Sequence, residues 1–193
     1  MCDAFHDYPV MRYLIGLGHV DYDDRLRRLV EFFVFRRMRN DAPMLGMEDG
    51  NELVAAATMT LPVEPEPPSD VLARRDALWR DLGDAARQRY ETYANTTRAF
   101  AIAEPHHHLN MIGVRHAHMG RGLARPLLEA VARLAEEDPR SFGVSLTTEA
   151  VKNLSLYEHF GYEIVGHARV SPELESWGLF SPIRSRRSAS RGS

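Results

Sequence analysis

Hydrophobic and polar residues alternate along this chain at two different spacings, and the spacing predicts helix or strand. In DYDDRLRRLVEFFVFRRMRN (21–40), apolar residues recur three and four positions apart behind an aspartate-rich first turn, which predicts an amphipathic helix. Two shorter apolar runs flank the turn pair Asp49-Gly50, so 42–62 is predicted to form a β-hairpin. A proline-rich loop at 62–70 then separates this hairpin from the elements that follow.

The second half of the chain places a strand, a short loop and a helix in direct succession. HHLNMIGV (107–114) is short and apolar enough for a buried strand, and 121–137 has helical spacing. Strands and helices continue to alternate, which predicts an α/β fold with a mixed central sheet flanked by helices. The other predicted elements are helices at 70–82, 84–101 and 151–160, strands at 142–148 and 162–170, and an edge strand at 175–182.

Length, composition and charge favour one domain that does not bind nucleic acid. The chain has 193 residues, 44% of them hydrophobic, which suits a single core. We assign this domain to 1–183 and expect the polar tail RSRRSASRGS (184–193) to be disordered. The formal net charge of −3 lacks the basic excess of nucleic-acid-binding proteins, so we expect no nucleic-acid partner.

Cysteine and hydropathy patterns favour a cytoplasmic protein. Cys2 is the single cysteine, so neither an intramolecular disulfide nor a cysteine-rich zinc site can form. No stretch reaches 18 consecutive apolar residues, and the first residues show no basic segment followed by an apolar core. The sequence therefore predicts neither a membrane partner nor an export signal.

The stretch MIGVRHAHMGRGLARPLL (111–128) carries the strongest chemical signal. It places Gly120 and Gly122 where a strand gives way to a helix, and free backbone N–H groups at a helix start attract phosphate. A P-loop would need G-x-x-x-x-G-K-[ST], which is absent from the sequence. A dinucleotide fingerprint would need a third glycine where Arg125 stands. Neither of these phosphate-binding motifs explains the turn.

The turn resembles the acetyl-CoA pyrophosphate loop of the GCN5-related N-acetyltransferase (GNAT) superfamily, [Q/R]-x-x-G-x-[G/A], here Met119-x-x-Gly122-x-Ala124. A second stretch, KNLSLYEHFGYEIVG (152–166), is similar to the later GNAT motif N-x-x-x-x-Y-E-x-x-G-F when one intervening residue is dropped. The similarity covers most of 4–183 and is greatest to puromycin N-acetyltransferase-like members. It implies a single-domain GNAT-like fold, acetyl-CoA as cosubstrate and no metal.

Three features depart from the family pattern. Met119 stands where Gln or Arg is usual, so its side chain cannot hydrogen-bond near the pyrophosphate although its backbone N–H can. Pro126 falls within the predicted helix and should leave the carbonyl of Gly122 without its helical donor. The family opens with a strand and the first part of a helix, whereas this chain begins near the middle of that helix. We therefore expect a sheet without the first strand and with an exposed edge.

The resemblance implies direct attack of an amine on the thioester, with no acyl-enzyme. Asn153 and Tyr157 are four residues apart and share a face of the predicted helix. Asn153 can therefore hold the coenzyme while Tyr157 donates a proton to the leaving thiolate. The alternative for Tyr157 is a packing role alone. The residues that the resemblance assigns to coenzyme binding are Ile112, Val114, Met119, Gly120, Arg121, Gly122, Leu123, Ala124 and Asn153.

A base for the acceptor amine is harder to assign from the sequence. Glu104 and His106 precede the strand 107–114, where family members often carry polar groups that face the acceptor, and His108 is a third candidate. Because successive strand residues point to opposite faces, the three adjacent histidines form no ready metal chelate. The alternatives are that these side chains only line the acceptor pocket, or that a deprotonated substrate needs no base.

The sequence leaves the acceptor open. The first hypothesis is an acetyl-CoA-dependent N-acetyltransferase acting on a small-molecule primary amine, such as an antibiotic or toxin. The second is a non-catalytic acyl-CoA-binding module on the same fold, and the third is a protein or peptide N-acetyltransferase. The oligomeric state also stays open, with a homodimer as one alternative.

Overall fold

Six strands form one mixed sheet in the computed structural model, which describes residues 1–16 and 18–183. In space, the strands follow the order β1-β2-β3-β4-β6-β5, and β3 and β4 are the parallel pair. The predicted tail, 184–193, lies outside the described residues. The strands are β1 (Met44–Asp49), β2 (Glu52–Thr60), β3 (His107–Val114), β4 (Gly143–Thr148), β5 (Glu163–Ser171) and β6 (Leu174–Pro182).

Helices cover both faces of this sheet and bury two separate hydrophobic clusters. One cluster joins the first five helices to Met111 and Leu174, and the other joins the last two helices to Leu109, Leu146 and Leu179. Apolar burial on both faces stabilises the three-layer arrangement. The helices are α1 (Cys2–Phe5), α2 (Pro9–Ile15), α3 (Tyr22–Arg39), α4 (Ser69–Leu82), α5 (Asp84–Thr97), α6 (Ala124–Glu137) and α7 (Leu154–His159).

A β-bulge in β3 positions the centre of the molecule. Thr58 pairs with Met111 and Met59 with Leu109, which leaves Asn110 as an extra residue in β3. On a regular strand, residues that are two positions apart lie on the same face of the sheet. Leu109 and Met111 nevertheless pack in opposite clusters, because the bulge changes the alternation. The bulge therefore turns β3 at Asn110.

Strands β3 and β4 separate beyond this bulge. They pair over three positions, the last of which joins Leu109 to Leu146, although β3 continues to Val114 and β4 to Thr148. Parallel strands that separate leave backbone N–H and C=O groups without a ladder partner on the facing edges. The opening lies between the carboxyl ends of two central strands, a common place for ligand sites in α/β sheets.

Most of the predicted elements are confirmed, with differences at the ends of three helices and in one strand. The predicted helix 151–160 is a 3₁₀ turn over Val151–Asn153 followed by α7, which begins at Leu154. The predicted helix 121–137 begins three residues later, at Ala124, and 84–101 ends its α-helix at Thr97 before a 3₁₀ turn. The prediction of an edge strand at 175–182 is wrong. Strand β6 lies between β4 and β5 because it pairs with both of them, and β5 forms the edge.

The opposite edge of the sheet is β1, which pairs along one side, with β2. Before Met44 the described residues form helices and turns and no strand. Among the residues that the structure describes, no helix has both the length and the apolar character needed to cross a membrane.

Candidate functional site

Two cavities meet where β3 and β4 separate. The first, the glycine-turn cavity, has a volume of about 710 Å³ and lies against Gly120, Gly122, Asn153 and Tyr157. The second, the histidine cavity, has a volume of about 550 Å³ and is lined by His106, His108 and residues of α3 and α5. A connecting pocket of about 80 Å³ shares lining residues with both: Asn110 and Tyr93 with the histidine cavity, and Asn153 and Tyr157 with the glycine-turn cavity.

The glycine turn has a backbone that suits an anion. Gly120 and Gly122 have φ angles of 77° and 75°, in the left-handed region that favours glycine. No atom of the described residues lies within 4 Å of the place that a Cβ on either glycine would take. Within the described residues, no backbone carbonyl accepts a hydrogen bond from the N–H groups of Gly120, Gly122, Leu123 or Ala124. These N–H groups and the start of α6 form a cradle for phosphate.

Pro126 does not disturb this cradle, contrary to the prediction. Because α6 begins at Ala124, Pro126 is its third residue, where a backbone N–H has no partner inside the helix. The carbonyl of Gly122 accepts a hydrogen bond of 3.1 Å from the N–H of Arg125. The helix start therefore loses no hydrogen bond to the proline.

Most of the residues predicted to bind the coenzyme meet in one place. Arg121 is the exception: its exposed guanidinium lies 3.9 Å from the carboxylate of Asp49 and outside the cavity lining. Met119 is half exposed and lines the cavity with an apolar side chain. Its backbone N–H, predicted to be available for the pyrophosphate, donates instead to the carbonyl of His116 over 3.2 Å, because Met119 ends the 3₁₀ turn His116–His118. The predicted residues that line the glycine-turn cavity are Ile112, Val114, Met119, Gly120, Gly122, Leu123, Ala124 and Asn153.

Tyr157 has the environment of a proton donor. Its side chain is buried and lines both the glycine-turn cavity and the connecting pocket. None of the described residues is hydrogen-bonded to its hydroxyl. Burial, together with the nearby Glu149 carboxylate, raises the pKa of Tyr157 to about 12. The hydroxyl therefore keeps its proton at neutral pH.

Glu149 is a buried carboxylate of the connecting pocket that sequence reasoning missed. Tyr93 and Ser176 each donate a hydrogen bond of 2.8 Å to its Oε1. Burial raises the pKa of Glu149 above its ordinary value of 4.5, while the hydrogen bonds from Ser176, Tyr93 and Tyr8 oppose that rise. A carboxylate at the carboxyl end of an apolar strand, in SLTTE, was the signal in the sequence that could have identified it.

None of the residues predicted as bases lines the connecting pocket, where Glu149 lies. His106 lines the histidine cavity, and its Nδ1 lies 2.7 Å from the backbone carbonyl of Glu104. The Glu104 side chain is exposed and lines neither cavity nor the connecting pocket. Burial lowers the pKa of His108 to about 4, so this ring is neutral at physiological pH, with its Nδ1 2.8 Å from the hydroxyl of Ser145.

A family model described as acetyltransferase (GNAT) domain matches residues 80–175, a range that contains the glycine turn, Glu149 and Tyr157. The chain belongs to the GNAT acetyltransferases. This membership confirms the resemblance seen in the glycine turn and around Tyr157. Acetyl-CoA-dependent acetyl transfer is the reaction that the GNAT family and fold support.

Solved structures share the GNAT fold over nearly the whole chain. A structure titled histone acetyltransferase HPA2 and related acetyltransferase, from Corynebacterium glutamicum ATCC 13032, is 17% identical, covers 94% of this chain and 86% of its own, and gives a TM-score of 0.66. PH1933 from Pyrococcus horikoshii OT3 is 13% identical, with 91% and 92% covered and a TM-score of 0.55. No curated protein sequence matches this GNAT chain significantly.

The residues present in this GNAT domain fit acetyl-CoA. The cradle at Gly120 and Gly122 offers unpaired N–H groups for a pyrophosphate, and the open edge of β3 beyond Leu109 offers backbone groups for an amide-bearing arm. The glycine-turn cavity continues from that cradle to Tyr157. A thioester placed along it would have its sulfur end toward the connecting pocket.

Proposed function

We propose that this GNAT acetyltransferase transfers an acetyl group from acetyl-CoA directly to a small-molecule primary amine. One observation carries the proposal: the glycine-turn cavity and the histidine cavity meet in a connecting pocket that both Tyr157 and Glu149 line. A donor held on one side and an acceptor held on the other would thus meet between an acid and a base. Holding two reactants together in this way lowers the entropic part of the barrier.

The coenzyme side is formed by backbone groups more than by charged side chains. The N–H groups from Gly120 to Ala124 would hold the pyrophosphate, and the edge of β3 at Ile112 and Val114 would hold the pantetheine arm. Acetyl-CoA, when bound, supplies an electrophilic thioester carbonyl and a thiolate leaving group. Met119 adds no donor to this cradle, because its side chain is apolar and its backbone N–H donates to the carbonyl of His116.

Tyr157 serves as the general acid in this proposal. Its hydroxyl holds a proton with a pKa of about 12 and has no hydrogen-bond partner among the described residues, so it is free to donate. Asn153 lines the same cavity from the turn before α7. Asn153 and Tyr157 thus line the cavity from a 3₁₀ turn and from α7, and not from one face of a single helix as the sequence predicts.

Glu149 serves as the general base in place of Glu104 or His106. It lines the connecting pocket, where the acceptor amine must lose a proton, and its raised pKa makes the carboxylate a better proton acceptor than a free glutamate. Asn110, displaced by the bulge, lines the same pocket, and its buried Oδ1 has no hydrogen-bond partner among the described residues. That oxygen would accept an N–H of the amine and orient it.

Direct transfer is favoured over an acyl-enzyme. Cys2, the single cysteine of the chain, lines neither of the two cavities nor the connecting pocket. A histidine cavity of about 550 Å³ suits a small molecule, within the range of about 300–1,000 Å³ typical of ligand pockets. These two observations support a small amine that attacks the thioester itself.

Release of free thiol from acetyl-CoA, measured over a panel of amines, tests this function. Aminoglycosides, aminonucleosides, polyamines and amino acids would be compared with a set of short peptides. Turnover of a small amine supports the proposal, and turnover of peptides alone assigns the protein to peptide acetylation instead. Binding of CoA without turnover of any amine or peptide would identify a non-catalytic acyl-CoA-binding module.

A further inference from the structure

The charges that line the histidine cavity do not balance. The guanidinium groups of Arg36, Arg37 and Arg98 line it, together with one carboxylate, that of Glu64. Arg36 and Arg37 both donate to Glu64, over 2.9 Å and 3.1 Å, and so share a single negative charge. His106 and His108 add no negative charge. The side chains that line the cavity therefore carry more positive than negative charge.

Arg37 is the buried arginine of this positively charged cavity. Its side chain is only 8% exposed, and its buried Nε has no hydrogen-bond partner among the described residues. Burial and the neighbouring charge of Arg36 lower the pKa of Arg37 to about 10, and Glu64 opposes that change. A buried charge with an unsatisfied donor is unfavourable unless an anion completes its surroundings.

Arg98 brings a further guanidinium to the cavity. Among the described residues, no carboxylate lies within ion-pair distance of it. It follows α5 in the 3₁₀ turn Arg98–Phe100, is exposed to solvent and lines the cavity. An exposed guanidinium and a buried one that line the same cavity suit a group that enters from solvent. The planar donor geometry of arginine favours carboxylate and phosphate oxygens.

The rest of the lining is apolar or aromatic. Phe33, Tyr90, Phe100 and Ile102 contribute to it, and Tyr90 lies close enough to Arg37 to affect its charge. A ligand that fills this space would therefore have an apolar body as well as a charged end.

We propose that the acetyl acceptor carries an anionic group, a carboxylate or a phosphate, on an apolar body, and that Arg37 and Arg98 bind this group. The inference rests on the proposed function, since it assigns the histidine cavity to the acceptor. It disfavours polyamines and aminoglycosides, whose further positive charges would face the same guanidinium groups.

Matched acceptors test the charge requirement during turnover. L-phenylalanine, L-phenylalaninamide and 1-amino-2-phenylethylphosphonate share one body and differ in the group beside the amine. We expect kcat/KM for an anionic acceptor to exceed that for the amide by about 10- to 100-fold, the gain typical of hydrogen bonds to charged groups. The amide has the less basic amine, which biases the comparison against the proposal. The better of the two anionic acceptors distinguishes carboxylate from phosphate.

An exposed arginine variant and a matched control identify the residue involved. Arg98→Gln should reduce the anionic preference about 10-fold, whereas Arg133→Gln, a change of an exposed arginine in α6, should leave it unchanged. Arg37→Gln should reduce it further, and its folding can be checked from its thermal unfolding. An unchanged preference in Arg98→Gln and in a folded Arg37→Gln would overturn the assignment.

Binding without turnover separates this inference from the proposed function. The amine-free pair 3-phenylpropionate and 3-phenylpropanamide, titrated by calorimetry, reports the charge preference of the cavity directly. Preferential binding of the propionate that is lost in Arg98→Gln supports the anion site. If amines are acetylated but kcat/KM is equal for L-phenylalanine and L-phenylalaninamide, the anion site is contradicted and the proposed function stands. Anion binding with no thiol release from any amine contradicts the proposed function, and with it the acceptor role of the ligand, but leaves the anion site standing.

Discussion

The Tyr93 hydroxyl donates a hydrogen bond of 2.8 Å to the buried carboxylate of Glu149, and so joins α5 to the end of β4. Ser176 of β6 donates a second bond of the same length to the same oxygen. Three elements distant in sequence thus fix one carboxylate at the connecting pocket. The histidine cavity offers an acceptor amine a route to this carboxylate, since it shares Tyr93 and Asn110 with the connecting pocket.

Glu149→Gln should lower kcat by about 10²- to 10⁴-fold, the usual contribution of a general base, while the Kd for CoA stays unchanged. Glutamine keeps the shape and accepts the hydrogen bonds from Tyr93 and Ser176, but it cannot take a proton. Since the folded pKa of Glu149 is raised, kcat/KM of the parent should fall as the pH drops through that value. The variant should lose this acidic limb.

The control for this prediction is Glu104→Gln, which removes an exposed carboxylate outside both cavities. It should leave kcat unchanged. Steady-state kinetics over pH on the parent and both variants make the comparison. Equal losses in the two variants, or a loss in Glu104→Gln alone, would restore the base predicted from the sequence.

The difference in free energy of unfolding between Glu149→Gln and the parent should change with pH in a direction that the raised pKa determines. A folded pKa above the ordinary 4.5 means that the protonated carboxyl stabilises the native state below that value, and the stabilisation is lost as pH rises through the folded pKa. Glutamine carries no such charge at any pH. The free energy of unfolding of the variant relative to the parent should therefore increase with pH above 4.5. Urea denaturation of both proteins at a series of pH values measures this difference. A difference that decreases as the pH rises would refute the raised pKa of Glu149.

Tyr157→Phe should lower kcat by about 10²-fold or more and leave CoA binding unchanged, since only the donated proton is removed. Tyr162→Phe is a matched control. Tyr162 is also buried, contacts the Tyr157 ring edge-on at 5.8 Å, and lines neither of the two cavities. Comparison of kcat and of the Kd for CoA in both variants checks the role. An active Tyr157→Phe enzyme would leave Tyr157 with a packing role alone.

Gly122→Ala should weaken CoA binding by about 10-fold, since it strains the backbone that presents the N–H groups. Gly50→Ala provides the control, because Gly50 also has a positive φ angle, 64°, and open space at its Cβ, but lies in the β1–β2 turn. Both changes should cost about 1 kcal/mol of stability. Calorimetric CoA titration with thermal unfolding separates the two effects. Equal CoA affinity in both variants would argue against a pyrophosphate at this turn.

The sequence predicted the parts of the site that are continuous in the chain. The strand 107–114 has the bounds that the structure gives it, and the glycine turn with the stretch around Tyr157 revealed the family. These features depend on local hydrophobic spacing, turn chemistry and short motifs. Each can be recognised within about twenty residues.

The features that escaped prediction depend on tertiary contacts. The bulge at Asn110 exists only through the register with β2, and the position of β6 depends on pairing with β4, a strand far earlier in the chain. Glu149 acquires its raised pKa only when α5 and β6 bury it. The effect of Pro126 depends on where α6 begins, which is three residues later than the hydrophobic spacing predicts. A cytoplasmic location stays a prediction from the sequence.

Mass spectrometry of the acceptor, combined with thiol release in the same reaction, tests the central claim most directly. The parent enzyme, Tyr157→Phe and Glu149→Gln would each be given acetyl-CoA and the small-amine panel. We predict one acetyl group added to a primary amine for each thiol released by the parent, and a large loss of both signals in the two variants. An acceptor panel left unmodified while CoA still binds to the glycine-turn cavity would contradict the account.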